Sequence, residues 1–172
     1  MNWYEITNIN TIDSPALVIY KERVTENIRL LKTMVNNDVD RLRPHVKTNK
    51  IAEVCRLMMD AGITKFKCAT IAEAEMLAII GAPDVLLAYQ PVGPKASRFI
   101  NLLIKYPATD FSCVVDNIAV AENLSALCVS NNITANIFID LNTGMNRTGI
   151  PSSRALLLFE AIQFLPALKL IG

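Results

Sequence analysis

The feature that most constrains the fold is a repeated alternation of short apolar runs with amphipathic, helix-like segments. Six runs begin at start-to-start spacings of 24, 19, 26, 24 and 33 residues, and they cover residues 42–46, 66–69, 85–89, 111–115, 135–141 and 168–171. Spacings of this size fit β-loop-α-loop units, in which parallel strands are joined by right-handed crossovers. The alternation therefore predicts an α/β protein built on a parallel sheet.

The segments between these runs carry helix signals. Thr70 and Glu73 have the spacing of a capping box, Asp116 stands at a plausible N-cap, and Pro151 lies where the first turn of a helix tolerates proline. Apolar residues recur at helical spacing and break at glycine or proline. The predicted helices cover residues 22–35, 51–61, 70–80, 99–106, 117–130 and 155–164.

The two common glycine-rich phosphate motifs, GxGxxG and GxxxxGK[ST], are absent from the sequence. Six βα units without a dinucleotide fingerprint favour a (β/α) barrel over a Rossmann sheet. A complete barrel has eight strands and about 250 residues, whereas this chain has 172. We therefore predict a partial (β/α)8 TIM-type barrel with about six of its eight strands.

Composition narrows the possible partners and compartment. The chain has 17 basic and 16 acidic residues, which argues against a nucleic acid or an anionic membrane as its main partner. No apolar run approaches the roughly 18 residues of a membrane span, and the first residues do not resemble a secretory signal. We expect a cytoplasmic protein in which Cys55, Cys68, Cys113 and Cys128 are buried free thiols.

Active sites of such barrels collect at the carboxyl ends of the strands. Lys47 follows the first apolar run, where partial desolvation would make its amine available as a Schiff-base nucleophile; a solvated lysine is the alternative. Arg147 follows the fifth run and suits a phenolate or a carboxylate, although it could equally bond loop carbonyls. His45 should share a strand face with Lys47, or else be a packed core histidine. One histidine without an acidic cluster argues against a metal site within the chain.

Four ordered motifs resemble the D-threonine aldolase and D-serine dehydratase group, which are alanine-racemase-like enzymes of fold type III that use pyridoxal phosphate. Residues 43–50 (RPHVKTNK) resemble its lysine motif, and residues 142–149 (NTGMNRTG) its fifth-strand arginine motif. Residues 13–18 (DSPALV) resemble the entry into its barrel, and residues 89–95 (YQPVGPK) its third-strand loop. The likeness runs in register from about residue 11 to Gly172.

The resemblance implies a role for individual residues. Lys47 would be the catalytic residue that binds pyridoxal phosphate as a Schiff base, and Arg147 would contact the phenolic oxygen side of the cofactor. Arg43, His45 and Tyr89 would line the pocket. The reaction implied is that of a lyase acting on a D-β-hydroxy-amino acid, of the D-threonine aldolase type, which yields glycine and acetaldehyde from D-threonine.

The resemblance also implies parts that these residues do not contain. Residues 13–172 would form part of the cofactor-binding barrel, and residues 1–12 could belong to a C-terminal β domain, the rest of which is absent. That domain would supply the ligands of a divalent metal ion. In a homodimer it would reach the active site of the partner subunit. The cofactor phosphate would be bound by loops of barrel strands that come later in the family's sequence. If this chain is the whole expressed protein, weak or absent catalysis is expected.

Two positions depart from the pattern, and other functions stay open. Asn49 stands where the group usually has histidine, and Asn142 stands where it usually has aspartate. These departures leave a D-serine dehydratase or an amino-acid racemase of the same fold as alternatives. A pyridoxal-phosphate-binding protein without turnover and an inactive truncated product are further alternatives.

Overall fold

The computed structural model describes residues 2–172, so Met1 of the predicted N-terminal segment 1–12 lies outside the described residues. Helices and strands alternate along most of the chain. The helices are α1 Lys21–Met34, α2 Ala52–Asp60, α3 Ile71–Ile79, α4 Pro94–Lys105, α5 Ile118–Ser130 and α6 Ser152–Gln163. The strands are β1 Lys65–Cys68, β2 Asp84–Leu87, β3 Asp110–Val115, β4 Ala135–Ile139, β5 Leu141–Asn142, β6 Ile150–Pro151 and β7 Leu168–Leu170.

Five of these strands form one parallel sheet in the order β1-β2-β3-β4-β7. Each strand lies beside the next one in the sheet and is joined to it by at least one helix, which is the arrangement of a (β/α) barrel. The predicted fold class, an α/β parallel sheet forming part of a barrel, is confirmed. The short strands β5 and β6 pair separately at the end of β4.

The core lies between the sheet and the helices. Phe66, Val85, Cys113 and Ile137 lie on the helix-covered side of the strands, and all four are fully buried. Burial of side chains this size contributes about 1.5–3 kcal/mol each. Apart from the buried Ser112, the residues that alternate with them, such as Lys67, are only half-buried, so most of the inner side of the sheet is accessible.

The predicted first strand, 42–46, is wrong as a regular strand. Only one bridge forms there, between His45 and Lys67, and the Lys67 amide donates to the carbonyl of Pro44 at 2.9 Å. Pro44 has no N–H with which to extend a ladder. The chain then turns into a short 3-10 helix over Val46–Thr48. The segment keeps the first-strand position beside β1, but within residues 2–172 five regular strands form the barrel sheet, not about six as predicted.

Three predicted helix starts also differ, and the largest shift is that of α4, which begins at Pro94, five residues before the predicted start at 99. Asn117, and not Asp116, is the N-cap of α5, because its side chain accepts a hydrogen bond from the Ala119 amide at 2.9 Å. Helix α6 begins at Ser152, three residues earlier than predicted, with Pro151 just before its first turn. Thr70 is confirmed as the N-cap of α3, since its hydroxyl accepts from the Glu73 amide at 3.1 Å; the Glu73 carboxylate reaches back to the Ala69 amide at 2.8 Å and not to that of Thr70.

All four cysteines are free and buried, as predicted. Burial raises the pKa of the Cys55 thiol to about 11 and that of the Cys68 thiol to about 12, because the thiolate would lose its hydration. Within residues 2–172, no helix has the length and apolar character needed to cross a membrane.

Candidate functional site

A pocket of about 640 Å³ opens at the carboxyl ends of the strands, on the inner side of the sheet. Four of the predicted site residues meet there: His45, Lys47, Tyr89 and Arg147. They come from three separate connections of the chain, after the His45 bridge, after β2 and after β5. Residues about a hundred positions apart in sequence, such as His45 and Arg147, thus meet at the carboxyl ends of the strands, as expected for a barrel.

Local hydrogen bonds around His45 position Lys47. The Lys47 backbone N–H donates to Nδ1 of His45 at 3.3 Å, and the Thr48 hydroxyl donates to the His45 carbonyl at 3.3 Å. The side chain of Lys47 itself is exposed at the pocket wall, so the partial desolvation expected for its amine is not provided by the described residues.

His45 is held as a neutral imidazole. Its pKa lies below the usual 6.5, first because the ring is partly buried, and second because the ammonium groups of Lys47 and Lys67 repel the imidazolium. The Glu73 carboxylate and a hydrogen bond with the Lys67 backbone oppose this shift. His45 therefore links the lysine loop to β1, which is a positioning role.

The loop that carries Arg147 is shaped by Asn142. The Oδ1 atom of Asn142 accepts from the amides of Gly144 at 3.0 Å and Asn146 at 3.1 Å, and its Nδ2 donates to Oδ1 of Asn146 at 2.9 Å. The asparagine found at this position of the pattern thus organises the loop through its carbonyl oxygen. Arg147 is exposed at the pocket wall.

Gly149 closes the same loop against the sheet. Its amide donates to Oδ2 of Asp116 at 3.1 Å, and it adopts a φ of +87°. A Cβ at this position would lie 2.6 Å from the carbonyl carbon of Leu141 and 2.7 Å from the amide nitrogen of Asn142. Asp116, predicted as a helix cap, instead binds the end of the loop of residues 142–149, which we call the arginine loop.

Arg43 does not line the pocket, although the sequence motif placed it there. Its guanidinium forms a two-point ion pair with Asp84, with distances of 2.5 and 2.8 Å, and also lies near the Phe66 carbonyl. Asp84 is the first residue of β2, so this pair lies at the amino end of the strands, opposite the pocket. Arg43 stabilises the barrel wall, and we leave it out of the proposed site.

Asn49, the other departure from the motif, also organises the backbone. Its Oδ1 accepts from the Ile51 amide at 3.1 Å, just before α2 begins. The neighbouring Lys50 adopts a φ of +54° and its Nζ lies 4.0 Å from Oε1 of the buried Glu73. The loop that follows Lys47 is therefore fixed by side chains of its own and of α3.

Sequence reasoning missed Lys67, which lies within β1 and lines the same pocket. The signal was the alternation of residues 65–68 (KFKC), where lysine and apolar residues take opposite faces of a strand. Asp140 is the one carboxylate among the described residues that line the pocket. Residues 2–172 contain no group of three or more His, Cys, Asp or Glu that could hold a metal ion.

Residues 19–172 match the family described as alanine racemase, N-terminal domain. The chain belongs to this family. The family match confirms the resemblance that the sequence motifs indicated. It also agrees with the fold of this alanine racemase N-terminal domain, in which the carboxyl ends of parallel barrel strands surround one pocket.

Individual relatives of this alanine racemase N-terminal domain are lyases by name. D-threo-3-hydroxyaspartate dehydratase from Delftia sp. (strain HT23) is 29% identical over 81% of this chain and 36% of its own length. D-threonine aldolase from Arthrobacter sp is 23% identical over 94% and 42%. The structure of D-threonine aldolase from Filomicrobium marinum matches with a TM-score of 0.84 and 25% identity, over 94% of this chain and 43% of that one. The chain thus spans about four tenths of the length of these relatives.

Proposed function

We propose that this chain is the barrel portion of a pyridoxal-phosphate-dependent lyase that acts on a D-β-hydroxy-amino acid, of the D-threonine aldolase type. The observation that carries the proposal is the meeting of Lys47, Tyr89 and Arg147 in one pocket at the strand ends. The names of the relatives support the reaction class.

The residues of the pocket fit pyridoxal phosphate. A primary amine, a guanidinium and a phenol ring line one cavity of about 640 Å³, within the size range of cofactor sites. Lys47 Nζ would hold the carbonyl carbon of the cofactor, and Arg147 would pair with its phenolic oxygen. The chemistry that the cofactor supplies when bound is an electron sink for the bond broken at the substrate Cα.

Residues of this chain position Lys47 and Tyr89 at the pocket. The His45 ring fixes the backbone of Lys47 through the hydrogen bond to Nδ1, and its neutral form adds no charge to a wall that already carries Lys47 and Lys67. Tyr89 is half exposed beside Lys95, whose Nζ lies 5.0 Å from the centre of the phenol ring. That contact holds the ring at the pocket edge.

The test is chemical trapping. Protein incubated with excess pyridoxal phosphate should take up a yellow colour, and borohydride should fix the cofactor on Lys47, located by peptide mass spectrometry. Lys47→Met should abolish the trapping. Lys50→Met, an exposed lysine three residues further on, should retain it. A colourless protein in excess cofactor, or trapping on another lysine, overturns the proposal.

A dehydratase is the second candidate, because D-threo-3-hydroxyaspartate dehydratase is among the relatives. Products formed from D-threonine separate the two reactions: glycine and acetaldehyde indicate an aldolase, and 2-oxobutanoate with ammonia indicates a dehydratase. Release of L-threonine would indicate the racemase alternative instead. The described residues supply no metal ligand set, so we assign the divalent metal ion no residue here.

The resemblance also supports a homodimer in the cytoplasm with a small D-amino acid as substrate, and these stay predictions. They are not tested by the comparisons, because each relative is more than twice as long as the part of it that matches this chain.

A further inference from the structure

A second, smaller pocket lies beside the 640 Å³ cavity at the strand ends, which we call the strand-end pocket. The second pocket encloses about 210 Å³, and its walls come from the start of α3, the end of β2 and the first turns of α4. We call it the α3–α4 pocket. Tyr89 and Ala69 line both cavities, so the two pockets share a wall. Within the motif of residues 89–95 the proposed function uses Tyr89 alone, whereas Gln90 and Lys95 line the α3–α4 pocket.

The charged side chains of the α3–α4 pocket are both cations. Lys95 and Arg98 line it from α4, three residues apart and therefore on one face of the helix. Within residues 2–172, neither has a carboxylate oxygen within 4.0 Å, and no Asp or Glu is among the residues that line the pocket. Gln90 adds a donor, because its Oε1 accepts from the Asp116 amide at 3.4 Å and its Nε2 has no acceptor among the described residues. Two like charges at this spacing repel each other, and an anion held between them would remove that repulsion.

The remaining cation of α4 has partners within the chain. Lys105 Nζ donates to Oε1 of Glu75 at 2.8 Å, and the Tyr106 hydroxyl donates to the same oxygen at 3.0 Å. The pKa of the Glu75 carboxyl is lowered first by these two hydrogen bonds, and the charge of Arg98 is the last of its causes. Glu75 therefore neutralises Lys105 and leaves the charge of Arg98 available to a ligand.

The size and charge of the α3–α4 pocket limit its ligand. Its volume of about 210 Å³ is below the roughly 300–1,000 Å³ that is typical of sites for cofactors and drug-sized molecules. Inorganic phosphate is small enough, and at pH 7.5 it is mostly a dianion, which matches the two charges of Lys95 and Arg98. A guanidinium also offers paired donors that suit phosphate oxygens.

Tyr89 connects the α3–α4 pocket with the strand-end pocket. Lys95 Nζ lies 5.0 Å from the centre of the Tyr89 ring, which is half exposed. A cation–π contact at an exposed site is weaker than a hydrogen bond between charged groups. An anion between Lys95 and Arg98 would therefore draw the ammonium away from the ring. Tyr89 would then lose the contact that holds it at the edge of the strand-end pocket.

We propose that the α3–α4 pocket binds inorganic phosphate, or another tetrahedral dianion of that size, between Lys95 and Arg98, and that the bound anion releases Tyr89. The α3–α4 pocket is then a second ligand site, and its occupancy acts on the strand-end pocket through their shared wall. The site does not depend on the proposed reaction, because Lys47 takes no part in it.

The test is an NMR titration of the 15N-labelled chain with sodium phosphate at pH 7.5, in which sodium chloride is adjusted to keep the ionic strength constant. The amide signals of Ala72 and Arg98, which line the pocket, should shift and reach saturation. Sodium acetate, a monoanion, should bind at least about tenfold more weakly than phosphate. Lys95→Met and Arg98→Met should each weaken phosphate about tenfold, the usual effect of losing a hydrogen bond between charged groups.

The Tyr89 ring reports whether the bound anion acts on the shared wall. Its ring signals, followed in a chain with 13C-labelled tyrosine, should move when phosphate binds to the wild type. Lys95→Met should move them in the same direction without phosphate, because it removes the contact with the ammonium. Phosphate should then have little further effect on the ring of this variant.

Lys105→Met is the matched control. It removes a cation of the same helix that already has a partner, so the phosphate affinity should stay within about twofold of the wild type. The proposed site is overturned if no amide of the α3–α4 pocket shifts to saturation, if the shifts are confined to the strand-end pocket, or if acetate binds as tightly as phosphate. It is also overturned if Lys105→Met weakens phosphate as much as Arg98→Met does. Saturating amide shifts with an unmoved Tyr89 ring would overturn the release of Tyr89.

Discussion

His45 shows how a single side chain serves the site without being its reactive group. It is the one histidine of the chain, and the sequence left two interpretations open, a residue of the site or a packed core histidine. In the structure its Nδ1 accepts from the Lys47 amide, and its backbone forms a β-bridge with Lys67 of β1. Lys47 and Lys67 are therefore linked through His45, and protonation of its ring would break the acceptor contact at Nδ1.

We predict that His45 titrates below pH 6.5 in the folded chain, because burial and the two lysines disfavour the imidazolium. Its Cε1 proton, the one histidine signal in the NMR spectrum, gives the midpoint directly. Lys67→Met should move the midpoint upwards by removing one repulsive charge, whereas Lys65→Met should not. Since the unfolded ring accepts a proton more readily, the stability from His45 is present above pH 6.5 and declines as the pH falls to the folded pKa. A midpoint at or above 6.5 would contradict this assignment.

At the level of elements, the sequence predicted those features whose signals are local. The alternation of apolar runs and helices located the five strands of the sheet, and the spacing of Thr70 and Glu73 located the start of α3. The strand predicted at 42–46 was wrong because Pro44, which has no N–H, cannot donate to a neighbour and only the bridge between His45 and Lys67 forms. Asp116 was misassigned because its partner, the Gly149 amide, is 33 residues away.

The candidate site was predictable to the same extent. Lys47 and Arg147 were found because they follow strands within recognisable motifs, and both line the pocket. Arg43 was placed in the pocket by the family resemblance of residues 43–50, and a sequence motif does not say towards which end of the barrel a side chain extends. Its actual partner, Asp84, lies 41 residues away, a distance that no local pattern reveals.

The arginine loop offers a test of how tightly β5 and β6 are held. Gly149→Ala should destabilise the chain by about 2 kcal/mol or more, because a Cβ would lie within 3.0 Å of three backbone atoms at a φ of +87°. Gly144→Ala, in the same loop at a φ of +119° with no atom within 4 Å, should cost only about 1 kcal/mol of backbone strain. Urea unfolding measures both, and equal losses would mean that close packing at Gly149 does not matter.

On the scale of the whole molecule, the sheet divides its charges between its two ends. The amino ends hold Arg43–Asp84 and Lys65–Asp40 as internal pairs, so they contribute to a closed structural wall. At the carboxyl ends, Lys47, Lys67 and Arg147 line the pocket together with Asp140, and none of these three cations forms a salt bridge within residues 2–172, so a ligand can supply the counter-charge. Stability and binding are thus carried by opposite ends of the same strands, as is general for barrels of this type.

The order of the strands also predicts which part of the molecule opens first. β3 is paired on both sides, with β2 and β4, whereas β7 is paired with β4 alone. The Ile171 amide, which follows β7 and donates to the Ile137 carbonyl at 2.9 Å, should therefore exchange with solvent through local opening, at least about tenfold faster than the most protected amides of β3. Hydrogen exchange followed by NMR gives both rates, and low urea concentrations should accelerate β3 more steeply, because its exposure requires global unfolding. Equal rates and equal urea dependence would instead show that the five strands open as one cooperative unit, with β7 as firmly held as the centre of the sheet.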